Sequence, residues 1–300
     1  MDVNKLINEK IKLYDLDDLM KSVNRIQRNV FKESIDFYIA EKNKLEGLPF
    51  GERGRMAATL VNRYEKRISD AIARNRNYQT EIRRYLKSFN QVDALNLKIH
   101  KSLNNIDISK IINVANKEQR ELMGTTAAKI VSPERIKKAL PSGLVGNGMR
   151  DQFTKPIKKT IYQNLMKGTP ETQVKTVLHN FIVGRKDSIG QLNRWVGQLT
   201  RDALSQYDGA VNDMVRKEYD LNAFKYIGSE VKDSRPQCIR WIRNKNRILM
   251  YDELAKEIRW AYNNGKGMIS GTNKDNFSTN RGGHNCRHDA LPIRIAITEE

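Results

Sequence analysis

Apolar residues recur at steps of three and four along most of the chain. Leu16, Leu19, Met20, Val23, Ile26 and Val30 form one stripe, which predicts an amphipathic helix. That helix should end near Gly47, where Leu48-Pro49-Phe50-Gly51 breaks the pattern. Met56, Leu60, Tyr64, Ile68 and Ile72 then repeat every four residues and predict a long helix packed on partners. Beside and beyond it, Arg74, Arg76, Arg83 and Arg84 add exposed charge. Patterning weakens over 90–131, with a helix expected around Ile108–Met123. Ser132-Pro133-Glu134 reads as a helix start, Ser as N-cap and Pro at the first helical position. Pro141 through Gly148 is the strongest loop signal and an expected domain or subdomain boundary.

The helical pattern continues past that loop. Phe153, Ile157, Ile161 and Leu165 share a face, and Pro156 inside the run predicts a late start or a kink. Gly168-Thr169-Pro170-Glu171 opens another helix, carrying Val174, Val177, Leu178 and Phe181. A long helix is expected from about Ser188 to Tyr219, with Leu192, Trp195, Val196, Leu199, Ala203, Tyr207, Ala210, Val211 and Met214 as its core face. From Asn222 the pattern changes. Ala223–Ile227 is aromatic and β-branched and predicts a strand. Asp252–Ala261 reads as a short helix capped by Asp252, 263–281 as a Gly/Asn-rich loop, and Leu291–Ile297 as a closing strand. The expected fold is mainly α: an elongated helical N-terminal and middle region followed by a small α+β C-terminal domain. The expected divisions are a helical region over 1–145, a second helical part over 146–220, and the α+β domain over 221–300.

Charge changes this picture by giving the middle of the chain a partner. The net charge is +19. Residues 1–50 are balanced at nine basic and nine acidic groups, while 51–200 carry 28 basic against 12 acidic. Residues 251–300 are balanced again. A basic middle implies a polyanionic partner or neighbour, whether nucleic acid, an acidic protein or a membrane surface. The functional reading is contact with a DNA or RNA backbone, and the plain one is a solvated face that favours solubility. The cations are not gathered with aromatics into a strip for single strands, so sequence readout is not expected. Two cysteines in 300 residues argue against a disulfide-built secreted domain. The polar, mixed-charge start is unlike a signal peptide. No run approaches the roughly 18–20 apolar residues of a membrane span.

Chemistry concentrates in one bipartite stretch. Asp233-Ser-Arg-Pro-Gln-Cys238 is followed, across a gap of 47 residues, by Cys286 within Arg281-Gly-Gly-His-Asn-Cys-Arg-His288. Cys238, His284, Cys286 and His288 are four candidate metal ligands, the count a tetrahedral zinc site needs. In extended chain 284, 286 and 288 would point to one side, although no C-x₂₋₄-C knuckle is present. A nucleophilic role for Cys238 with His284 or His288 is a second reading, without an evident orienting group. In the third, Gly282-Gly283 makes a tight turn, His284, Asn285 and Arg287 satisfy carbonyls and carboxylates, and Asp233 and Arg235 pair across the small domain. The motif then locks a fold with little core of its own.

The order of features carries a resemblance: Thr200-Arg-Asp202 on a long helix, Phe224-Lys-Tyr-Ile-Gly228, the Asp233–Cys238 element, Gly282-Gly-His-Asn-Cys-Arg-His288, then Leu291-Pro292. Over about 150–295 the chain resembles the Mu F-like head morphogenesis, or minor head, proteins of tailed bacteriophages. Asp233, Arg235 and Cys238 match the family's upstream element, and Gly283, Asn285, Cys286, Arg287 and His288 its downstream one. His284 stands where other members have Tyr, Phe or Pro, and this chain has one cysteine in each element where many members have two. The resemblance implies a non-enzymatic minor component of the head, present in several copies at the portal vertex. Portal protein would be its partner, with major capsid or scaffold components as further contacts and packaged DNA nearby. It would reside in the virion, and in host cytoplasm during assembly. No cofactor is expected, with zinc as the alternative. The competing functions are a metal-dependent nuclease or toxin-like enzyme using the Cys/His cluster, and a non-specific DNA-binding protein.

Overall fold

The computed structural model describes residues 2–14, 16–113, 144–284 and 286–296. Its elements run α1 (Val3–Lys12), α2 (Asp17–Leu45), α3 (Phe50–Ala73), α4 (Arg76–Asn104), α5 (Lys155–Lys167), α6 (Glu171–Ile182), β1 (Gly184–Arg185), β2 (Ser188–Ile189) and α7 (Gln191–Glu218). They continue with β3 (Ala223–Ile227), α8 (Pro236–Arg243), β4 (Ile248–Met250), α9 (Leu254–Asn264), the single turn α10 (Phe277–Asn280) and β5 (Asp289–Ile293). The fold is mainly α, with a small α+β region toward the C-terminus. No helix among the described residues is long and apolar enough to cross a membrane.

The chain forms two compact units, and they interleave. One comprises Leu16–Leu86 and Thr125–Gly197; the other comprises Met1–Asp15, Lys87–Gly124 and Gln198–Glu300. The consecutive divisions expected at 145/146 and 220/221 therefore do not coincide with the contact-defined units. Long helices explain why: the unit limits at 86/87 and 197/198 fall inside α4 and α7.

In the first unit α3 packs on α5 and α2 on α6. The π-helical turn Arg150–Thr154 precedes α5, and Pro156 sits in the first turn of the α-helix, where its missing N–H costs nothing. Helical turns run on from Asn147 without a gap, so the late start or kink expected of Pro156 is instead a local change from π- to α-helix. Buried hydroxyls tie the helices. Ser34 meets Tyr64 at 2.6 Å, and the Tyr38 hydroxyl donates to the Thr169 carbonyl at 2.6 Å. The face of α3 departs from expectation at its start, where Met56 is exposed and Ala57 buried; Val61, Tyr64, Ile68 and Ile72 continue the buried face. A four-residue step drifts around a 3.6-residue helix, so only part of such a series stays on one face. The exposed side of α3 presents Arg63, Lys66, Arg67 and Arg74, with Asp70, along a shallow cleft. The expected helix starting at Ser132 and most of that around Ile108–Met123 lie outside the described residues; residues 109–113 are helical.

In the second unit a three-stranded antiparallel sheet runs in the order β4-β3-β5. Phe224 pairs with Leu249 on one side and Pro292 on the other. Alternation along β3 serves two cores. Phe224 and Tyr226 join Cys238, Trp241, Leu254, Ile258, Phe277 and Ala290, whereas Ile227 joins Leu6, Ile7, Ile99 and Leu291. Pro292 is tolerated because β5 is an edge strand. Three expectations shift here. The closing strand is Asp289–Ile293 instead of Leu291–Ile297. The expected loop contains the turn α10. Helix α9 starts at Leu254 after Glu253, with no side-chain cap, because the Asp252 carboxylate accepts from the adjacent Glu253 N–H instead.

Candidate metal centre

Four segments of the second unit bring the chemistry together. Helix α8 begins with Pro236 at its first turn and carries Cys238 on the face buried beside Trp241. Strand β3 supplies Tyr226. The segment 286–288 is extended, so Cys286 and His288 face inward while Arg287, between them, faces out. The fourth segment is the turn at 281–284.

The two motif halves meet at this point. Cys238 Sγ lies 4.0 Å from Cys286 Sγ, and Cys286 Sγ lies 3.5 Å from His288 Nδ1. Ligand atoms of Cys238, Cys286 and His288 all fall within 4.8 Å of one another, so this group can hold a metal ion. Both cysteines are free thiols. The Tyr226 hydroxyl touches both sulfurs, at 3.5 and 3.6 Å. Its ring stacks on His288, with centroids 5.4 Å apart. His288 Nε2 faces the Ser229 carbonyl at 3.2 Å. A carbonyl only accepts, so Nε2 carries the proton and the Nδ1 lone pair points at Cys286.

The protonation pattern follows from these contacts. The neighbouring Cys238 thiol hydrogen-bonds to Cys286, so Cys286 is drawn well below the ordinary thiol range against the cost of burial. Cys238 is raised by the same hydrogen bond and by burial. Burial, with the two sulfurs beside it, keeps Tyr226 protonated.

Expected site residues separate into two groups. Arg235 acts as a fork: Nη1 donates to the Gly282 carbonyl at 2.6 Å and Nη2 to the His284 carbonyl. Gly283 adopts φ +101°, and a Cβ there would collide with the Gly267 carbonyl oxygen. Gly282 abuts the sulfurs, since a Cβ would collide with Cys238 Sγ. The other expectations need correction. His284 is not in the metal group; it is exposed on the turn and reaches Asp202 at 3.4 Å. The turn, closed by the Cys286 N–H to the Gly283 carbonyl at 3.2 Å, removes 284 from the extended alternation. Asp233 is exposed in a turn and Arg287 faces solvent, so neither pairs across the small domain among the described residues. Asn285 lies outside the described residues.

Gln237 and Arg281 do the work expected of those residues. Buried Gln237 donates to the carbonyls of Lys266 (2.8 Å) and Gly282 (3.0 Å). Arg281 is buried at φ +41°. Its guanidinium donates to the carbonyls of Ser278, Ser205 and His288 and pairs with Asp208 and Asp289. Lys10 from α1 completes a buried cluster of two cations and two carboxylates. Tyr14 and Asn96 donate to Asp208 at 2.8 and 2.9 Å. Burial alone would raise Asp208, but Lys10 and Arg281 hold it well below the carboxylate range. Burial and the adjacent Asp208 raise Asp289. Sequence offered one weak signal for this cluster, a lysine on the apolar side of an amphipathic helix.

Cys238, Cys286 and His288 line a cleft of about 370 Å³ with Ile11, Arg201, Asp233, Arg235 and Arg287. No family model, no curated protein and no solved structure matches this chain.

Proposed function

We propose that this chain is a minor structural protein of a tailed-bacteriophage head, associated with the portal vertex and packaged DNA and acting in assembly or genome delivery. The observation that carries the reading is the meeting of the two elements resembling that family. Cys238 and Cys286 approach to 4.0 Å, and Arg235 clasps the turn that presents Cys286. The motif thereby works as a fold lock, in which Arg235 and Arg281 hold backbone carbonyls. The exposed cations of α3 provide a face for DNA backbone. The test is fractionation of infected cells. Co-purification of the chain with portal protein and particles is expected; recovery only as free protein would overturn the reading.

Zinc is the ion we assign to the Cys/His group. Zn–S near 2.3 Å and Zn–N near 2.0–2.1 Å in a tetrahedron require S···S of about 3.8 Å and S···N of about 3.5 Å. The group has 4.0 and 3.5 Å before any ion draws it together. Two thiolates and a neutral imidazole also suit zinc over harder cations. A metal-dependent nuclease is the second reading, favoured by the opening of the donors on a cleft. A purified-protein nuclease assay with and without divalent metal distinguishes the two.

A further inference from the structure

Three donors do not complete a tetrahedral shell. Among the described residues no fourth His, Cys, Asp or Glu atom joins the group of Cys238, Cys286 and His288. One side of the group is closed by protein. The Tyr226 hydroxyl touches both sulfurs, and Gly282 leaves no room for even a Cβ against Cys238. All three donor residues line the same cleft. Arg201, Arg235 and Arg287 line it as well, against the single carboxylate of Asp233. Two thiolates and a neutral imidazole cancel the charge of a divalent ion, so the surrounding guanidiniums leave the cleft positive.

We infer that the Cys238/Cys286/His288 centre binds zinc with three protein donors and keeps its fourth position open to the cleft, where it takes a small monodentate anion from solution. This rests on the zinc reading above and deepens it. Several features prepare the inner donors. The Ser229 carbonyl fixes the His288 tautomer so that Nδ1 is a lone-pair donor. The Tyr226 hydroxyl donates to Cys238 Sγ and lies against Cys286 Sγ, as outer-shell groups do in metal sites. Arg235 and Gln237 hold the Gly282 carbonyl and with it the turn leading to Cys286. A shell with three protein donors and one exchangeable position is the arrangement that lets zinc bind external ligands. Asp233 is the one cleft carboxylate that could instead close the shell from its exposed turn.

The experiment uses the full chain loaded with Co²⁺ in place of zinc, followed by visible absorption. One Co²⁺ per chain is expected, with intense tetrahedral bands and thiolate charge transfer. Azide should shift the visible bands to a saturating limit, and Asp233→Ala should leave both spectrum and azide response unchanged. Cys286→Ser and His288→Ala should each lower Co²⁺ affinity at least tenfold; circular dichroism of each variant establishes that it is folded. Bands insensitive to azide would overturn the open position while leaving the zinc reading intact. Loss of the bands' character in Asp233→Ala would do the same by making Asp233 the fourth ligand. Failure of the folded wild-type chain to bind Co²⁺ or Zn²⁺ would remove both. None of these outcomes bears on particle association, which fractionation reads separately.

Discussion

Lys10 and Asp208 stand 198 residues apart in sequence and meet at 3.0 Å, with both side chains fully withdrawn from water. A buried ion pair contributes little relative to an apolar pair of the same shape, but removing one partner strands the other charge. Asp208→Ala should therefore destabilise the chain by about 3–5 kcal/mol. It leaves Lys10 and Arg281 sharing only Asp289. Lys10→Met should cost a comparable amount, and the double variant less than the sum of the two. Urea denaturation of the three variants measures this; additive losses would show that the pair is not coupled.

His100 gives a pH signature. Burial lowers its imidazole from the ordinary 6.5 to about 4, and it sits between the side chains of Asn212 and Asn104 as a neutral ring. A group with a depressed histidine pKa favours the folded state fully above the unfolded value. That contribution is lost as pH falls from about 6.5 toward 4, and amounts to about 3 kcal/mol. Asp213 acts in the opposite direction, since burial raises it to about 6 and protonation there relieves a buried charge. Comparing wild type with His100→Gln at pH 7 and pH 4.5 isolates the histidine, because Asp213 is common to both. The wild type should lose more stability on acidification than the variant.

Arg235 should be intolerant of lysine. Its two guanidinium nitrogens hold two carbonyls of one turn, and an ammonium cannot reproduce that fork. Arg235→Lys should cost about 1–3 kcal/mol, read as a lower unfolding midpoint. It should also weaken Co²⁺ binding, because the clasped turn carries Cys286 into place. Unchanged metal affinity alongside lower stability would separate the clasp from the centre.

The cations on α3 make a prediction about salt. Replacing Arg63, Lys66, Arg67 and Arg74 together by serine should weaken binding to duplex DNA of any sequence. It should also reduce the slope of log Kobs against log salt by about 0.9 for each phosphate the variant no longer neutralises. Fluorescence anisotropy across a salt series reads both quantities. An unchanged slope would move the DNA-binding face away from α3.

Much of the helical pattern was legible from sequence because burial repeats at helical spacing. The Leu19, Val23, Ile26 and Val30 stripe appears as expected, and the break expected at Leu48–Gly51 falls slightly earlier, between Leu45 and Phe50. Strand β3 was legible from its aromatic and β-branched run, but its neighbour β4 is three residues long and carries no alternation to read. At the candidate centre the sequence supplied Cys238, Cys286 and His288 by residue type. It misplaced His284 because a period-2 argument assumes extended chain, and the turn starts one step earlier. The Lys10, Asp208, Asp289 and Arg281 cluster, signalled only by a lysine on the apolar side of its helix, was missed for a different reason. Each member looks like an ordinary surface charge until three distant segments are packed together.

The interleaving of the two units has a consequence for biosynthesis. Lys10 leaves the ribosome long before its partners Asp208 and Asp289, and β3 keeps one edge unpaired until residues 289–293 follow. The unit that carries the candidate donors therefore cannot complete its sheet until β5 has been translated. A stalled or clipped product lacking β5 would leave that edge of β3 with unpaired N–H and C=O groups.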